Sequence, residues 1–255
     1  MKEYEKLIEL PLEGKALIIT DLHGNLEDYN RYMEIWKEFQ DENNHIIITG
    51  DFIHSCYGDD DSLEIIDSIK NHYENEKNFH VLLGNHEWDL IIGESVYKSG
   101  QNQTHDFENL VQEKYGNKSE IRMDSYIKFF KKLSIVVKTQ NKVLISHAGP
   151  SRHLESENDI KYLSDKDYST NLKLYEILWN RNIENTRSYL DPFLKHFNCK
   201  ASVVGHTPVD GFELHGNQLI LSSSFGLGKK AYLELDLQEE INSGRDLIKK
   251  VKYLD

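Results

Sequence analysis

The stretch Val81-Leu82-Leu83-Gly84-Asn85-His86-Glu87-Trp88-Asp89 runs three apolar residues straight into an amide, an imidazole and a carboxylate. A short run of Val and Leu closed by glycine reads as a buried strand. The residues that end it are the kind that bind metals or move protons. The same arrangement recurs along the chain. Ile18-Ile19-Thr20 is followed by Asp21-Leu22-His23-Gly24-Asn25, and Ile46-Ile47-Ile48-Thr49 by Gly50-Asp51. Leu144-Ile145 leads into Ser146-His147-Ala148-Gly149, and Val203-Val204 into Gly205-His206-Thr207.

Between the first two runs, Leu26, Tyr29, Met33, Trp36 and Phe39 fall at the three- and four-residue spacing of an amphipathic helix. Leu63, Ile66, Ile69 and Tyr73 repeat that spacing. Strand and helix therefore alternate, which predicts an α/β layer architecture. In such sheets, side chains at the carboxyl ends of strands meet although they are far apart in sequence. One edge is thus expected to carry Asp21, His23, Asp51, Asn85, His86, His147 and His206. Residues 91–139 and 151–200 carry further helical patterns, including "YIKFFKKL" and "LKLYEILWNRNI", and are expected as insertions that cap that edge within one domain spanning 1–255. The C-terminal stretch from Lys230 reads as a strand, a polar turn and a short strand or helix.

The chain has 255 residues, with 30 Lys and Arg against 43 Asp and Glu, a net charge of -13. That balance argues against a long groove tracking a nucleic-acid backbone. A small anionic ligand remains compatible if bound cations supply local positive charge. Cys56 and Cys199 are the only cysteines, so neither a zinc finger nor a disulfide framework is expected, and a reducing cytoplasm is the expected location. The N-terminus is too charged for a signal peptide, and no apolar run approaches the roughly 20 residues a membrane span needs.

Asp, His and an Asn carbonyl form a mixed oxygen and nitrogen set suited to Mn, Fe, Zn or Ni. No single cation needs all of them. Two cations about 3.5–4 Å apart, bridged by one carboxylate, would use the whole set and could clamp attacking and leaving oxygens at phosphorus.

The series DLHGN, GD, GNHE, SHAG and GHT, spread over residues 21 to 207, resembles the calcineurin-like metallophosphoesterases, in particular the phosphoprotein phosphatase branch and bacterial dinucleoside-tetraphosphatase-like members. The resemblance implies a four-layer fold, a central β-sandwich of mixed sheets flanked by helices. It also implies two divalent metal ions, manganese first. Asp21 and His23 would hold one metal, Asp51 would bridge, and Asn85, His147 and His206 would hold the other. A metal-bridging hydroxide would be the nucleophile, with His86 as general acid or donor to the leaving oxygen. Glu87 is open to an outer supporting role or to a solvated one.

One motif departs from the branch, where the second usually continues GDxVDRG. Here Gly50-Asp51-Phe52-Ile53 runs into His54 and Ser55. The aspartate that supports the catalytic histidine is replaced by His54, which brings no negative charge when neutral, and the phosphate-gripping arginine by Ser55. Arg181, in "LWNR", and Arg152 are the candidates to replace that grip, and with His54 they make up the expected substrate-binding residues. Tyr57, Trp88 and Tyr97 are candidates to stack on a nucleobase. Asp59-Asp60-Asp61 reads as a charge cluster at the start of the next helix.

The expected function is hydrolysis of a phosphomonoester, with phosphoserine or phosphothreonine in protein as the substrate of the best-known relatives. The alternative is cleavage of a phosphoanhydride or phosphodiester in a small nucleotide. A third reading is a metal-binding scaffold without catalysis, against which the complete ligand set argues.

Overall fold

The computed structural model describes residues 6–55, 58–98, 101–163, 167–181 and 188–254. Five strands form one sheet in the spatial order β13 (Val251–Tyr253), β12 (Ala231–Asp236), β2 (Lys15–Ile19), β3 (His45–Ile48) and β4 (Phe79–Val81). In it β2, β3 and β4 are parallel, while β12 runs antiparallel to β2 and β13. The second sheet has six strands in the order β1 (Leu7–Leu10), β7 (Val136–Thr139), β8 (Val143–Ser146), β9 (Ala201–Val204), β11 (Gln218–Leu221) and β10 (Phe212–His215). Here β8, β9 and β11 are parallel, and antiparallel pairs join β7 to β8 and β10 to β11.

Alternate residues of β2 explain why its sequence shows no polar alternation. Ala16 and Ile18 share a core with Val143, Ile145 and Val203 of the other sheet, so they fill the space between the sheets. Leu17 and Ile19 instead join Tyr29, Tyr32 and Trp36 of helix α1 (Leu26–Phe39) on the outer face. A strand buried on both faces must be apolar throughout. Helix α2 (Ser62–Asn75) contributes Leu63, Ile66 and Ile69 to the same outer core.

Helix α3 (Asn85–Ile92), helix α4 (Gln103–Tyr115) and helix α5 (Ser119–Phe130) follow β4, with β5 (Tyr97–Lys98) and β6 (Gln101–Asn102) forming a small hairpin between α3 and α4. After β8 come α6 (Asn158–Lys161), α7 (Leu172–Trp179) and α8 (Leu190–His196), and α9 (Gly244–Ile248) lies between β12 and β13. Leu174, Ile177 and Phe193 of α7 and α8 join the cluster that includes Leu144, on the outer side of the six-stranded sheet. The result is the mixed sandwich flanked by helices that the motifs imply.

Five strands were not evident from the sequence. β5, β6 and β7 lie inside the stretch expected to be helical insertion, β1 is four residues ending before Pro11, and β10 is only partly buried, so its pattern is weak. The helix through "LKLYEILW" ends at Trp179, so Arg181 lies beyond it. The C-terminal stretch holds both alternatives, α9 and then β13. Asp60 serves the start of α2, where its Oδ1 accepts the Ser62 N–H at 3.0 Å. Among the described residues no helix is long and apolar enough to cross a membrane.

Candidate metal centre

Each motif sits immediately beyond a strand, at β2, β3, β4, β8 and β9. Cross-links between them then set the geometry. The N–H groups of Leu22 and His23 both donate to the Asp51 carbonyl at 2.9 Å, which locks the first motif to the second. Gly205 N–H donates to the His147 carbonyl at 3.0 Å, joining the fourth to the fifth. The His206 N–H reaches both oxygens of Asp21, at 2.8 and 2.9 Å, which closes the ring back to the first.

This tight turning forces unusual backbone. Asp21, His23, Asp51, His54 and His206 have φ of 28°, 45°, 52°, 64° and 62°. Positive φ in a non-glycine residue is strained, and strain of this kind gathers where the surroundings hold side chains to a task. Gly205 shows what the turns require: a Cβ there would collide with the Asp21 carboxylate. Gly84 is confined in the same way against Asp51 and Glu87.

Asn85 and His86 open α3, with Gly84 as the N-cap residue. His86 N–H donates to Asp51 Oδ1 at 3.0 Å, which leaves Asp51 Oδ2 directed at the centre. Around Oδ2 stand His147 Nε2 at 3.4 Å, His86 Nε2 at 3.8 Å and His23 Nε2 at 3.9 Å. His147 Nε2 also lies 2.9 Å from Asn85 Oδ1 and 3.3 Å from His206 Nδ1.

Backbone carbonyls assign the tautomers. His147 Nδ1 meets the Thr49 carbonyl at 3.1 Å, His206 Nε2 the Trp179 carbonyl at 3.1 Å, and His23 Nδ1 the Ile53 carbonyl at 3.3 Å. A ring nitrogen facing a carbonyl carries the proton, so the other nitrogen of each ring presents a lone pair inward. Lone pairs of His23, His147 and His206 and the Asn85 amide oxygen therefore converge around the Asp51 carboxyl. Such a group is mutually repulsive unless a cation sits among it, and the donor chemistry fits divalent ions. His23, Asp51 and His86 form one cluster that could hold an ion, and Asp51, His147 and His206 another, with Asp51 in both.

The electrostatics favour added positive charge at Asp51. Burial holds the Asp51 carboxyl well above the usual carboxylate range, reinforced by Glu87, Asp21 and Asp89. Burial holds His147 well below the usual imidazole range, helped by His206, and pushes His206 down to about 3 with the help of the Arg181 charge. The histidines are thus neutral donors, and Arg181 lies within electrostatic reach of both.

Glu87 has the supporting role and not the solvated one. It is fully buried, and its carboxylate accepts the N–H groups of Asp51 at 2.9 Å, Phe52 at 3.0 Å and Gly84 at 3.1 Å. His54 lies behind His86 with 1% of its surface exposed, and its Nδ1 is 2.9 Å from His86 Nδ1. That corrects the expectation that His54 faces substrate. Arg152 is exposed, with its guanidinium over the Tyr189 ring at 4.7 Å and its backbone N–H bonded to Glu176, so it braces a loop. Trp88 is also a packing residue, buried with its indole N–H on the Tyr168 carbonyl at 2.9 Å. Tyr57 lies outside the described residues. An exposed aromatic near the centre that sequence reasoning missed is Tyr175, stacked on Trp179, whose ring meets the His206 ring at 5.7 Å.

No curated protein sequence matches the chain significantly. Solved structures share its fold. A serine/threonine protein phosphatase from Saccharomyces cerevisiae is 20% identical with a TM-score of 0.67, covering 91% of this chain and 76% of that one. A cold-active protein-tyrosine phosphatase from a psychrophilic Shewanella is 20% identical with a TM-score of 0.60, covering 98% and 84%. A structure provisionally assigned as a diadenosine tetraphosphatase is 15% identical with a TM-score of 0.50, covering 91% and 94%. At such identities the likeness speaks for the fold alone. The model of the calcineurin-like phosphoesterase family matches residues 14–210, which takes in every motif of the centre, and the chain belongs to that family of phosphoric-ester hydrolases.

Proposed function

We propose that the chain is a two-metal phosphomonoesterase in which Asp21, His23 and Asp51 hold one ion and Asp51, Asn85, His147 and His206 the other. The observation that carries this reading is Asp51 Oδ2, surrounded by three imidazole nitrogens within 3.9 Å, two of them on rings whose N–H groups are turned outward to carbonyls. Manganese is the ion we propose to load, in a cytoplasmic protein.

When bound, two divalent cations supply Lewis acidity, offset phosphate charge and make water nucleophilic at neutral pH. The chain's own residues do the rest. His86, in the first turn of α3, directs Nε2 into the centre and donates a hydrogen bond to the leaving oxygen. The N-terminus of α3 adds its positive dipole end on the same side. Arg181, exposed two residues beyond α7, binds phosphate oxygens in place of the arginine that Ser55 replaces. A phosphorylated serine, threonine or tyrosine side chain of a protein is the proposed substrate class. Ser55 favours a second reading, a nucleotide phosphoanhydride, because a phosphate chain already gripped by two cations has less need of that arginine.

His86→Ala tests the catalytic assignment. Phosphate release should fall about 10²–10⁴-fold, the range of general acid–base catalysis, while metal analysis still finds both ions. An unchanged rate contradicts the role. Arg181→Ala should raise KM roughly tenfold, the scale of one charge-assisted hydrogen bond, with kcat near wild type. A fall in kcat at constant KM contradicts phosphate binding by Arg181.

A further inference from the structure

A lysine precedes each of the two parallel strands that deliver His147 and His206. Lys142 stands directly before β8 and Lys200 directly before β9, so both lie on the edge of the six-stranded sheet opposite the metal centre. At the rise of a strand that edge is about 15 Å away from the centre. The Lys200 N–H donates to the Lys142 carbonyl at 2.8 Å, which draws the two strand starts together. With Lys195 of α8 they rim two adjoining clefts, of about 400 and 280 Å³, that meet at Asn198. All three lysines are exposed, and among the described residues no carboxylate stands within ion-pair distance of any of them. The acids of the clefts are engaged elsewhere. Asp191 accepts from Asn217 Nδ2 at 3.2 Å, and Glu9 faces Lys138 and Lys161, which also hold Glu157. A chain of net charge -13 thus keeps an excess of positive charge at this one edge. Lys142 even holds a left-handed φ of 75°, where glycine would sit with less strain.

We propose that this lysine-rimmed pair of clefts docks an extended acidic segment of another polypeptide. Ammonium groups and the side-chain amides of Asn198 and Asn242 supply hydrogen-bond donors, which suits carboxylates. Leu194 and Leu12 line the clefts as well and give apolar surface for the stems of acidic side chains. Two short hollows take side chains one at a time. They do not form the long basic track that a nucleic-acid backbone needs. An acidic peptide is repelled by most of an acidic surface, so the local excess of lysine also steers it to this edge. Docking there leaves the metal centre open. A phosphorylated partner anchored by such a segment meets the centre at raised effective concentration, with the chemistry unchanged. The inference goes beyond the phosphomonoesterase reading, because occupation of the clefts needs no turnover.

Fluorescence anisotropy of a labelled oligoglutamate peptide tests this directly. Wild type is compared with a cleft variant carrying Lys142→Gln, Lys195→Gln and Lys200→Gln. A control carries Lys37→Gln, Lys77→Gln and Lys249→Gln, exposed lysines elsewhere on the fold. Both variants lose the same charge, so an effect of net charge alone weakens them equally. The peptide should bind wild type and control alike and the cleft variant about tenfold more weakly, the scale of three exposed ion pairs. Added salt should weaken binding to wild type and change the cleft variant little. Absence of binding to wild type overturns the proposal, as does equal affinity for the two variants. An oligouridylate of equal length is the competing polyanion. If it binds wild type more tightly than the peptide does, the surface serves nucleic acid and the proposal fails, a result that needs no variant to fold. Phosphate release from an aryl phosphate is read separately. Its absence in wild type with both metals bound would end the phosphomonoesterase reading and leave the binding result intact.

Discussion

Asp51→Asn is expected to lose bound metal and activity together. The substitution is nearly isosteric and its amide can still accept the His86 N–H through one oxygen, so the fold should survive. What changes is the atom at the shared corner of both clusters, where Oδ2 faces His23, His86 and His147. If Oδ2 becomes an NH₂ group, its protons point at the lone pairs that converge there, and a cation loses its bridging charge. The loss of turnover should exceed the roughly 100-fold typical of removing an outer-shell partner of a metal ligand. Metal analysis of the purified variant beside its phosphate release checks this. Retained metal with an unchanged rate contradicts the bridging assignment.

Glu87→Ala should be the most destabilising single change at the centre. It strands three buried N–H groups, those of Gly84, Asp51 and Phe52, each losing its carboxylate acceptor. At about 1–3 kcal/mol for each unsatisfied buried donor, the loss is roughly 3–9 kcal/mol, against a total stability of about 5–15 kcal/mol for a typical domain. Urea denaturation of the metal-free protein, followed by circular dichroism, separates this effect from metal binding. The variant should be largely unfolded or have a strongly lowered midpoint. A midpoint equal to wild type would mean that the turn carrying Asp51 does not depend on Glu87.

The two predictions rest on residues that differed in how readable they were. Asp51 was legible because a doubly buried parallel strand leaves a continuous apolar run, and the polar residue that breaks it stands out. The same contrast exposed Asp21, Asn85, His147 and His206, and the parallel course of β2, β3 and β4 makes convergence of their ends follow from topology. Glu87 was not legible as a structural brace. Its role depends on three-dimensional contact with the turn at Asp51, 36 positions away, and Glu in a first helical turn reads equally well as an exposed charge. His54 stood out as a departure from the motif, but that it backs onto His86 comes from the turn at φ 64° and from Phe107, which no local pattern encodes. Tyr175 was hidden inside an amphipathic helix whose apolar positions look alike until one of them proves to be 46% exposed. The edge strand β10 escaped for the opposite reason, since partial burial leaves no continuous run to find.

The most direct test of a two-metal hydrolytic centre is a titration of metal-free protein with manganese, with bound metal and phosphate release from an aryl phosphate measured on the same samples. The account predicts that turnover is absent without metal and rises as two ions per chain are taken up. Saturation at one ion per chain, or two bound ions with no phosphate release, would contradict it.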